Sequence, residues 1–252
     1  MSAAIRIEAK KGEVAGLSAD IAIVCKFKGD PDLPGPVDRS LAQRLVEIAK
    51  GDRFEGRAGR YLLWHAAPSD GLKCRRYLLL GLGDRNDLTL ERYRRYLGDA
   101  LVECDRLGAA SVALPLLLAG ASQFPAREAA VALAEGVLLG TYRFDRHRSE
   151  PRAGRKHLRE VLVAAGDASL REIADGIGLG ETTAGATNFA RDLVNEPAGE
   201  LPPRRMVEIA RQVAEEAKIA IKVFEPDDLR RLGMGGILGV GQGSQNPPRL
   251  IQ

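Results

Sequence analysis

Apolar and polar residues are arranged along the first 166 residues in a pattern that predicts interleaved strands and helices. Short apolar runs predict strands at Ile21–Phe27, Tyr61–His65, Tyr77–Leu80, Ser111–Leu118 and Leu158–Ala164. Apolar residues at helical spacing predict helices at Val37–Lys50, Leu90–Cys104 and Pro125–Tyr142. Because strands and helices come in turn, the predicted fold class is α/β with a largely parallel or mixed sheet, and this domain ends near Gly166.

Single residues mark the limits of several of these elements. Thr89 is placed to cap the helix that begins at Leu90, and Gly108 stands where a glycine commonly ends a helix. Pro125 fits the first turn of the following helix. Pro115 has no N–H group, and we therefore expect it to limit the pairing of its strand.

A second region begins at Ser169, and either Asp167 or Ser169 can cap a helix that runs towards Leu193. Each glycine in a helix interior costs about 1 kcal/mol relative to alanine. The glycines therefore indicate either another backbone packed very close to this helix or a break near Gly180. The glycines inside the predicted helix are Gly176, Gly178, Gly180 and Gly185.

The rest of the chain predicts only the beginning of a further α/β arrangement. Its elements are a stop at Asn195–Pro197, a helix after Pro202 and Pro203, a strand at Ala220–Phe224, a short helix at Pro226–Leu232 and a tight glycine-rich turn from Gly233 that leads into a strand at Leu250. These elements have no completed sheet to join. We therefore expect their apolar faces to be exposed or covered by another chain.

Composition limits the class of protein. Of the 252 residues, 45% are apolar and 28% are charged, which is ordinary for a chain that forms a core. The three cysteines, Cys25, Cys74 and Cys104, form no C-x-x-C pair, so we expect reduced thiols and a cytoplasmic location. The sequence has no apolar run long enough for a membrane span and no signal-peptide core at its start.

The segment from Arg143 to Arg159 is basic, although the net charge of the chain is only +3. Pro151 and Gly154 mark it as a surface loop, and a solvated loop is the favoured interpretation. A phosphate-binding or nucleic-acid-binding patch stays open as the alternative. Aromatic residues do not alternate regularly with the charges, as a base-stacking surface would require.

The motifs of common active sites are incomplete in this chain. Gly81–Asn86 follows a strand, as a dinucleotide-binding loop would, but Asn86 stands in place of the third glycine. A plain strand-to-helix turn is therefore favoured there. The chain contains no Gly-Lys dipeptide, which excludes a P-loop in the glycine-rich C-terminal segment. Ser244 lacks the final glycine of a nucleophile elbow.

The remaining candidate residues have structural explanations. The three histidines form no H-E-x-x-H pair, and His65 at the end of a strand is predicted to be a partly buried polar residue. The adjacent carboxylates Asp227 and Asp228 are interpreted as charges that favour a helix N-terminus rather than as paired catalytic groups. The motifs alone identify no active site.

Three stretches, taken together and in this order, resemble the leucyl aminopeptidase (cytosol aminopeptidase) family. Ala134–Asp145, AEGVLLGTYRFD, resembles the end of the family's N-terminal domain. Asn188–Ala198, NFARDLVNEPA, resembles the A-R-D-L-V-N-x-P-A start of the catalytic domain, although Gly199–Glu200 replaces the more usual Asn that follows. Leu232–Ser244 and Pro247–Ile251 are similar to the L-G-M-G-x-x-x-x-V-x-x-G-S…P-P-R-L-I run that comes next.

The resemblance implies a fold, an activity and partners. The fold would be a macro-domain-like mixed sheet with flanking helices at residues 1–168, a linking helix at 169–193 and the incomplete beginning of an α/β catalytic domain at 194–252. The activity would be that of a metallo-aminopeptidase, in which two divalent ions, Zn²⁺ or Mn²⁺, activate water and polarise the scissile carbonyl. The partners would be a peptide substrate and further copies in a hexamer; nucleic acid is disfavoured and a membrane is not expected.

The metal-binding and catalytic residues of the family lie in motifs of the types G-K-G-x-x-x-D-S-G-G and N-T-D-A-E-G-R-L. Neither motif occurs in these 252 residues, and in the family both follow the run that resembles Leu232–Ile251. We therefore expect a chain truncated before these motifs. Such a chain has no catalytic, cofactor-binding or metal-binding residue and no cofactor of its own, and it is inactive alone.

A second hypothesis, from a different class, is a non-catalytic binding or assembly module. Macro-like domains bind nucleotide-type ligands at the carboxyl ends of their strands. Gly81–Asn86 and Ser111–Gln123 would then line the ligand crevice, and Arg143–Arg159 would provide a surface for nucleic acid.

Overall fold

The computed structural model describes residues 5–117, 124–147 and 157–252. The chain divides into two compact units, Met1–Asn188 and Phe189–Gln252. The first unit contains a six-stranded sheet in the order β1-β6-β5-β2-β4-β3, in which β3 is antiparallel to β4 and the other pairs are parallel. Its strands are β1 (Arg6–Lys10), β2 (Ile21–Phe27), β3 (Tyr61–His65), β4 (Arg76–Gly83), β5 (Ser111–Pro115) and β6 (Glu160–Ala164).

Helices cover both faces of this sheet. They are α1 (Arg39–Gly51), α2 (Leu90–Arg106), α3 (Ala126–Gly140) and α4 (Leu170–Asn195), with short 3-10 turns at Val14–Gly16, Pro68–Asp70 and Arg85–Asp87. On one face α1 packs Leu41 and Leu45 against Val24 of β2. On the other face α2 and α3 pack against Ile23 of β2 and its neighbours. The predicted α/β fold with a mixed sheet and flanking helices is confirmed.

The residues expected to limit these elements do so. The Thr89 hydroxyl accepts a hydrogen bond from the Arg92 N–H at 3.2 Å, and Gly108 has the positive φ of +74° that favours glycine after a helix. The N–H of Leu116, directly after β5, donates to the Ala164 carbonyl of β6. Backbone groups alternate in direction along a strand, so the even-numbered residues of β5 face β6 and the odd-numbered ones face β2. Pro115 therefore turns its missing N–H towards β2, and pairing with β2 ends at Ala113. Leu118, the last residue predicted for this strand, lies outside the described residues.

The strand β1 was not predicted. It pairs in parallel with β6 from Arg6 to Lys10 and forms an edge of the sheet. Its sequence, RIEAK, alternates charged and apolar residues over only five positions and contains no apolar run. The charged residues are tolerated because an edge strand is exposed to water on one side.

The helix α4 continues without a break through its glycines. A Cβ atom at Gly176 would lie 2.4 Å from the carbonyl oxygen of Arg127 in α3, so close backbone packing, and not a break near Gly180, explains Gly176 and Gly180, whereas Gly178 and Gly185 face open space. Hydrogen bonds also join α3 to its neighbouring helices. Glu135 of α3 accepts hydrogen bonds from Arg94 of α2 and from Thr183 of α4, each at 2.6 Å.

The second unit contains α5 (Pro203–Ala217), β7 (Val223–Phe224), α6 (Pro226–Arg231), α7 (Gly235–Gly241) and β8 (Leu250–Ile251), with β7 and β8 paired antiparallel. The tight turn predicted from Gly233 was wrong, because seven of these residues form α7. Gly233 has a φ of +67° and follows the segment that contains α6. The helix α7 then runs through GGILGVG, in which apolar residues lie between the glycines. In the described part of the chain, none of the helices has both the length and the apolar character that crossing a bilayer requires.

Candidate functional site

A crevice lies at the carboxyl ends of β2 and β4, where an α/β sheet commonly binds a ligand. It is open to solvent and has a volume of about 220 Å³. This is the place at which the module hypothesis puts a nucleotide-type ligand. Its polar lining comes from Lys28, Arg57, Asp84, Asp87 and Arg92.

The glycines beside this crevice do not present free N–H groups. The Gly81 N–H donates to the Arg60 carbonyl at 2.8 Å, and the Gly83 N–H donates to the Gly56 carbonyl at 3.0 Å. A phosphate-binding loop must instead direct its N–H groups at the ligand. The Gly81–Asn86 segment is therefore a strand end followed by a 3-10 turn, as the favoured interpretation of the sequence holds.

Close packing explains why these positions are glycine. A Cβ atom at Gly81 would lie 2.1 Å from the Arg57 carbonyl oxygen, which no side chain can tolerate. Gly83 has φ of +76°, in the left-handed region that favours glycine. The two glycines allow the segment around Gly56 to run along the end of β4.

The charged groups of the crevice are paired within the chain. Lys28 lies 3.8 Å from Asp84, and Arg92 donates to the Asp87 carbonyl at 2.6 Å. Arg57 donates to Glu55 at 2.9 Å. An anionic ligand would have to compete with these contacts, so the crevice has no preformed phosphate site among its described residues.

The second predicted part of the crevice, Ser111–Gln123, begins at one edge of the sheet and reaches the other: β5 is parallel to β2 and ends at Pro115, at the carboxyl edge where the crevice lies. Ser111 begins β5 and is therefore at the amino end of the parallel strands, opposite to the crevice. Its hydroxyl accepts the Asp20 N–H at 3.0 Å, and the Asp20 carboxylate in turn accepts the N–H of Ala110 at 2.8 Å. Ser111 thus closes a turn. Residues 118–123 of the predicted Ser111–Gln123 segment lie outside the described residues.

A buried carboxylate that sequence reasoning missed lies at the end of α2. Asp105 is only 4% exposed and accepts hydrogen bonds from the Arg143 guanidinium and from the Leu158 N–H, the latter at 3.2 Å. His157 Nδ1 lies 3.5 Å from the same carboxylate. Both described ends of the basic 143–159 segment are therefore bound to Asp105, and residues 148–156 of that segment lie outside the described residues.

The remaining predicted residues have simple surroundings. His65 is exposed in β3, so the prediction that it is partly buried was wrong. The Ser244 hydroxyl accepts the Asn246 N–H at 3.1 Å within a turn. Asp228 accepts the Glu225 N–H at 3.3 Å and bonds to Arg231, whose side chain is the main cause of the lowered pKa of Asp228. Its role at the helix N-terminus is confirmed.

The described residues bring together no group of three or more His, Cys, Asp or Glu side chains that could hold a metal ion. No catalytic step is assigned to the described residues.

Two profiles of one protein family match this chain. The profile of the "Cytosol aminopeptidase family, N-terminal domain" matches residues 23–151, and the profile of the catalytic domain of the same family matches residues 188–252. The chain belongs to the cytosol aminopeptidase family. The resemblance found in the sequence is thereby confirmed.

Relatives within the family are longer than this chain. The probable cytosol aminopeptidase of Roseiflexus castenholzii is 35% identical over 98% of this chain and 48% of its own length. That of a Geobacter species is 36% identical over 85% of this chain and 42% of its own length. The chain thus spans about half the length of the curated relatives that it matches.

Solved structures of other proteins share this fold. The bottromycin maturation enzyme BotP in complex with Mn is 32% identical, with a TM-score of 0.72 over 93% of this chain and 44% of that chain. A mutant of tomato leucine aminopeptidase, at 23% identity, has a TM-score of 0.79 over 100% of this chain and 51% of that chain. In this cytosol aminopeptidase family chain, α4 ends at Asn195, the first residue of the predicted Asn195–Pro197 stop.

Proposed function

We propose that this chain is the N-terminal portion of a two-metal exopeptidase that releases N-terminal amino acids from peptides. The observation that carries the proposal is the order of the two family profiles, with the catalytic-domain profile beginning at residue 188 and continuing to 252. The motifs in which the family holds its metals and catalytic groups are not among these 252 residues. We therefore propose that the chain by itself does not hydrolyse peptides.

The chain's own residues would then have scaffold roles. The first unit supplies a closed core, and α4 continues from it into the segment that the catalytic-domain profile matches. In the second unit, Arg249 donates to Glu225 at 2.9 Å and joins the start of α6 to the segment before β8. Contacts of this kind would position the elements on which a catalytic domain is built.

We further propose a cytoplasmic location and homo-oligomers, hexameric as the resemblance implies. The named relatives are described as probable cytosol aminopeptidases, and all three cysteines are free and buried. Burial raises the pKa of Cys25 and Cys104 to about 12, so these thiols are poor nucleophiles.

A chimera tests the proposed activity. Residues 1–252 are joined to the part of the Roseiflexus castenholzii relative that lies beyond the aligned region, and hydrolysis of a leucine chromogenic substrate is measured with added Mn²⁺ or Zn²⁺. We expect turnover by the chimera, loss of turnover with a chelator, and none by the 252-residue chain alone. The intact relative is the matched control.

Two results would contradict the proposal. Robust turnover by the 252-residue chain would show that it carries its own active site. A folded chimera that fails to hydrolyse the substrate, beside an active relative, would show that this N-terminal portion does not serve the aminopeptidase reaction.

The module hypothesis has its own test. Because the Gly81 and Gly83 N–H groups are used within the chain, we expect no heat when ADP-ribose is titrated into the purified protein in a calorimeter. A salt series with duplex DNA tests the basic segment in the same way, since phosphate contacts weaken steeply with salt.

A further inference from the structure

An open groove with a volume of about 710 Å³ lies in the first unit, between α1, β3 and the segment that follows the 3-10 turn Pro68–Asp70. Its apolar lining comes from Ile48, Trp64 and Leu72, which are partly buried at the margin of the core. Charged side chains of α1 and of the turn line it as well. Apolar surface beside a few polar groups is typical of a site for a small ligand.

The guanidinium of Arg44 is held in this groove from two sides. It lies 2.7 Å from a carboxylate oxygen of Asp70, whose side chain is only 6% exposed, and its central carbon lies 5.5 Å from the centroid of the Trp64 ring. The Asp70 carboxylate is itself fixed, because it accepts the Ala67 N–H at 2.7 Å. The Arg44 side chain is nevertheless 51% exposed, and a guanidinium has more N–H donors than one carboxylate uses. Arg44 is therefore ordered in advance for a second carboxylate, that of a ligand.

Glu47 provides the opposite charge on the same helix. Residues three positions apart lie on the same face of a helix, so Glu47 is a neighbour of Arg44 in the lining of the groove. Glu47 is exposed and forms no ion pair within the described part of the chain, whereas the Arg44 guanidinium contacts Asp70. The Glu47 carboxylate is thus available to an ammonium group.

We propose that this groove binds a free α-amino acid with an apolar side chain. The carboxylate of the ligand contacts Arg44, its ammonium group contacts Glu47, and its side chain packs on Trp64 and Leu72. An α-amino acid carries both charges on one carbon atom, which fits two groups that are neighbours on one helix face. A peptide carries its charged termini at opposite ends and fits this pair less well. Binding involves no hydrolysis, so this proposal does not depend on the proposed aminopeptidase activity.

The tryptophan in the groove gives a local signal for the test. Trp64 is the single tryptophan of the chain, so its fluorescence and its indole N–H signal in an NMR spectrum both report on this groove. L-Leucine is titrated into the purified 252-residue chain while both signals are recorded. We expect saturable changes at millimolar leucine, because ion pairs at an exposed surface each contribute little free energy.

Three analogues of leucine test the assigned contacts from the side of the ligand. 4-Methylpentanoate lacks the ammonium group, leucinamide lacks the carboxylate and glycine lacks the apolar side chain. We expect each of them to bind about tenfold more weakly than leucine, since each loses one of the three contacts. Leucinamide also represents the first residue of a peptide, in which the carboxyl group is an amide.

Two variants test the same contacts from the side of the protein. Glu47→Gln should weaken leucine binding about tenfold and leave the weak binding of 4-methylpentanoate unchanged, because that analogue has no ammonium group to lose. Arg44→Gln should likewise weaken the binding of leucine but not that of leucinamide. A general distortion of the groove would weaken the binding of every ligand, so the pairing of variant with analogue separates contact from structure.

The matched controls are Asp52→Asn and Arg39→Gln. Both residues are exposed at the ends of α1, and neither lines the groove. We expect both variants to bind leucine as the wild type does, and thermal unfolding confirms that all four variants are folded.

Three results would overturn the proposal. The first is that millimolar leucine changes neither signal of Trp64. The second is a Glu47→Gln variant that binds leucine as tightly as the wild type. The third is leucinamide binding as tightly as leucine, which would assign the groove to the N-terminal residue of a peptide instead of a free amino acid. An inactive chimera would leave all of these measurements unaffected.

Discussion

Gly176 of α4 lies directly against the backbone of Arg127 in α3, at a distance where a Cβ atom would be 2.4 Å from the carbonyl oxygen. Gly180, about one turn later, has the same relationship to α3, since its Cβ would lie 2.8 Å from the Val131 carbonyl oxygen. A Cβ at Gly178, between them, would meet no atom within 4 Å. One face of α4 is therefore shaped to contact α3 through glycine.

Substitution of these glycines should have opposite effects on the two faces. We expect Gly176→Ala and Gly180→Ala each to lower the free energy of unfolding by about 2 kcal/mol, because the added methyl group forces the helices apart. Gly178→Ala is the matched control and should raise it by about 0.5–1 kcal/mol through helix propensity alone. Chemical denaturation measures all three, and equal effects at the three positions would contradict the packing described.

The buried carboxylate of Asp105 should be important for the stability of the first unit. Asp105→Ala leaves the Arg143 guanidinium and the Leu158 N–H without their acceptor, and we expect a loss of about 2–3 kcal/mol in the free energy of unfolding. Asp99→Ala removes an exposed carboxylate from the same helix and should change it by less than about 0.5 kcal/mol. Similar losses in both variants would show that Asp105 has no special structural role.

Asp38 should make the stability of the fold depend on pH. Its carboxylate caps α1 and accepts the N–H groups of Ser40 and Leu41 at 2.9 and 3.1 Å. Hydrogen bonds, that of the Ser40 side chain first, lower the pKa of Asp38 from 3.8. A lowered folded-state pKa gives stability above the unfolded-state pKa, and this stability is lost as the pH falls through the folded value.

The Asp38→Ala variant tests this linkage. We expect it to melt at a lower temperature than the wild type at neutral pH, and the difference should shrink as the pH falls below about 4. Asp38→Ser keeps a capping oxygen without the charge, so its deficit should be smaller. A deficit of Asp38→Ala that stays constant between neutral and acid pH would argue against a charged cap.

The second unit should be the less stable and more aggregation-prone part of the isolated chain. Val194, Ile219 and Val240 are 84%, 61% and 90% exposed, and a two-stranded sheet is marginal alone. We expect limited proteolysis to cleave first within residues 189–252.

A pair of lysine variants separates the effect of exposed apolar surface on aggregation from the effect of added charge. Val240→Lys should slow the aggregation of the chain, whereas Gln242→Lys adds the same charge without removing an apolar surface and should slow it less. Proteolysis that spares the second unit as long as the first, or equal protection by both variants, would contradict this expectation.

The central part of the fold could be predicted because local and global signals agree there. The run Ile21–Phe27 is apolar at nearly every position, and the structure buries all seven residues between two layers of helix. The cap at Thr89 and the missing N–H of Pro115 act within a few residues of themselves, so they are visible in sequence.

Other features depend on neighbours that are distant in the chain. In the sequence Asp105 looks like a solvated acid, and its partner Arg143 is 38 positions away. Only the fold brings the two side chains together. β1 is a strand because β6 provides its hydrogen bonds, and the helix α7 forms despite its four glycines. The candidate crevice could be located from strand ends, but its N–H groups were already used by Gly56 and Arg60, which sequence does not show.

The alternating charges of β1 also set how far this sheet can extend beyond one molecule. Charged side chains that alternate along an edge strand oppose the addition of a strand from another molecule, so the sheet does not extend at β1. Three ordinary surface side chains, Arg6, Glu8 and Lys10, thus act as a limit on polymerisation.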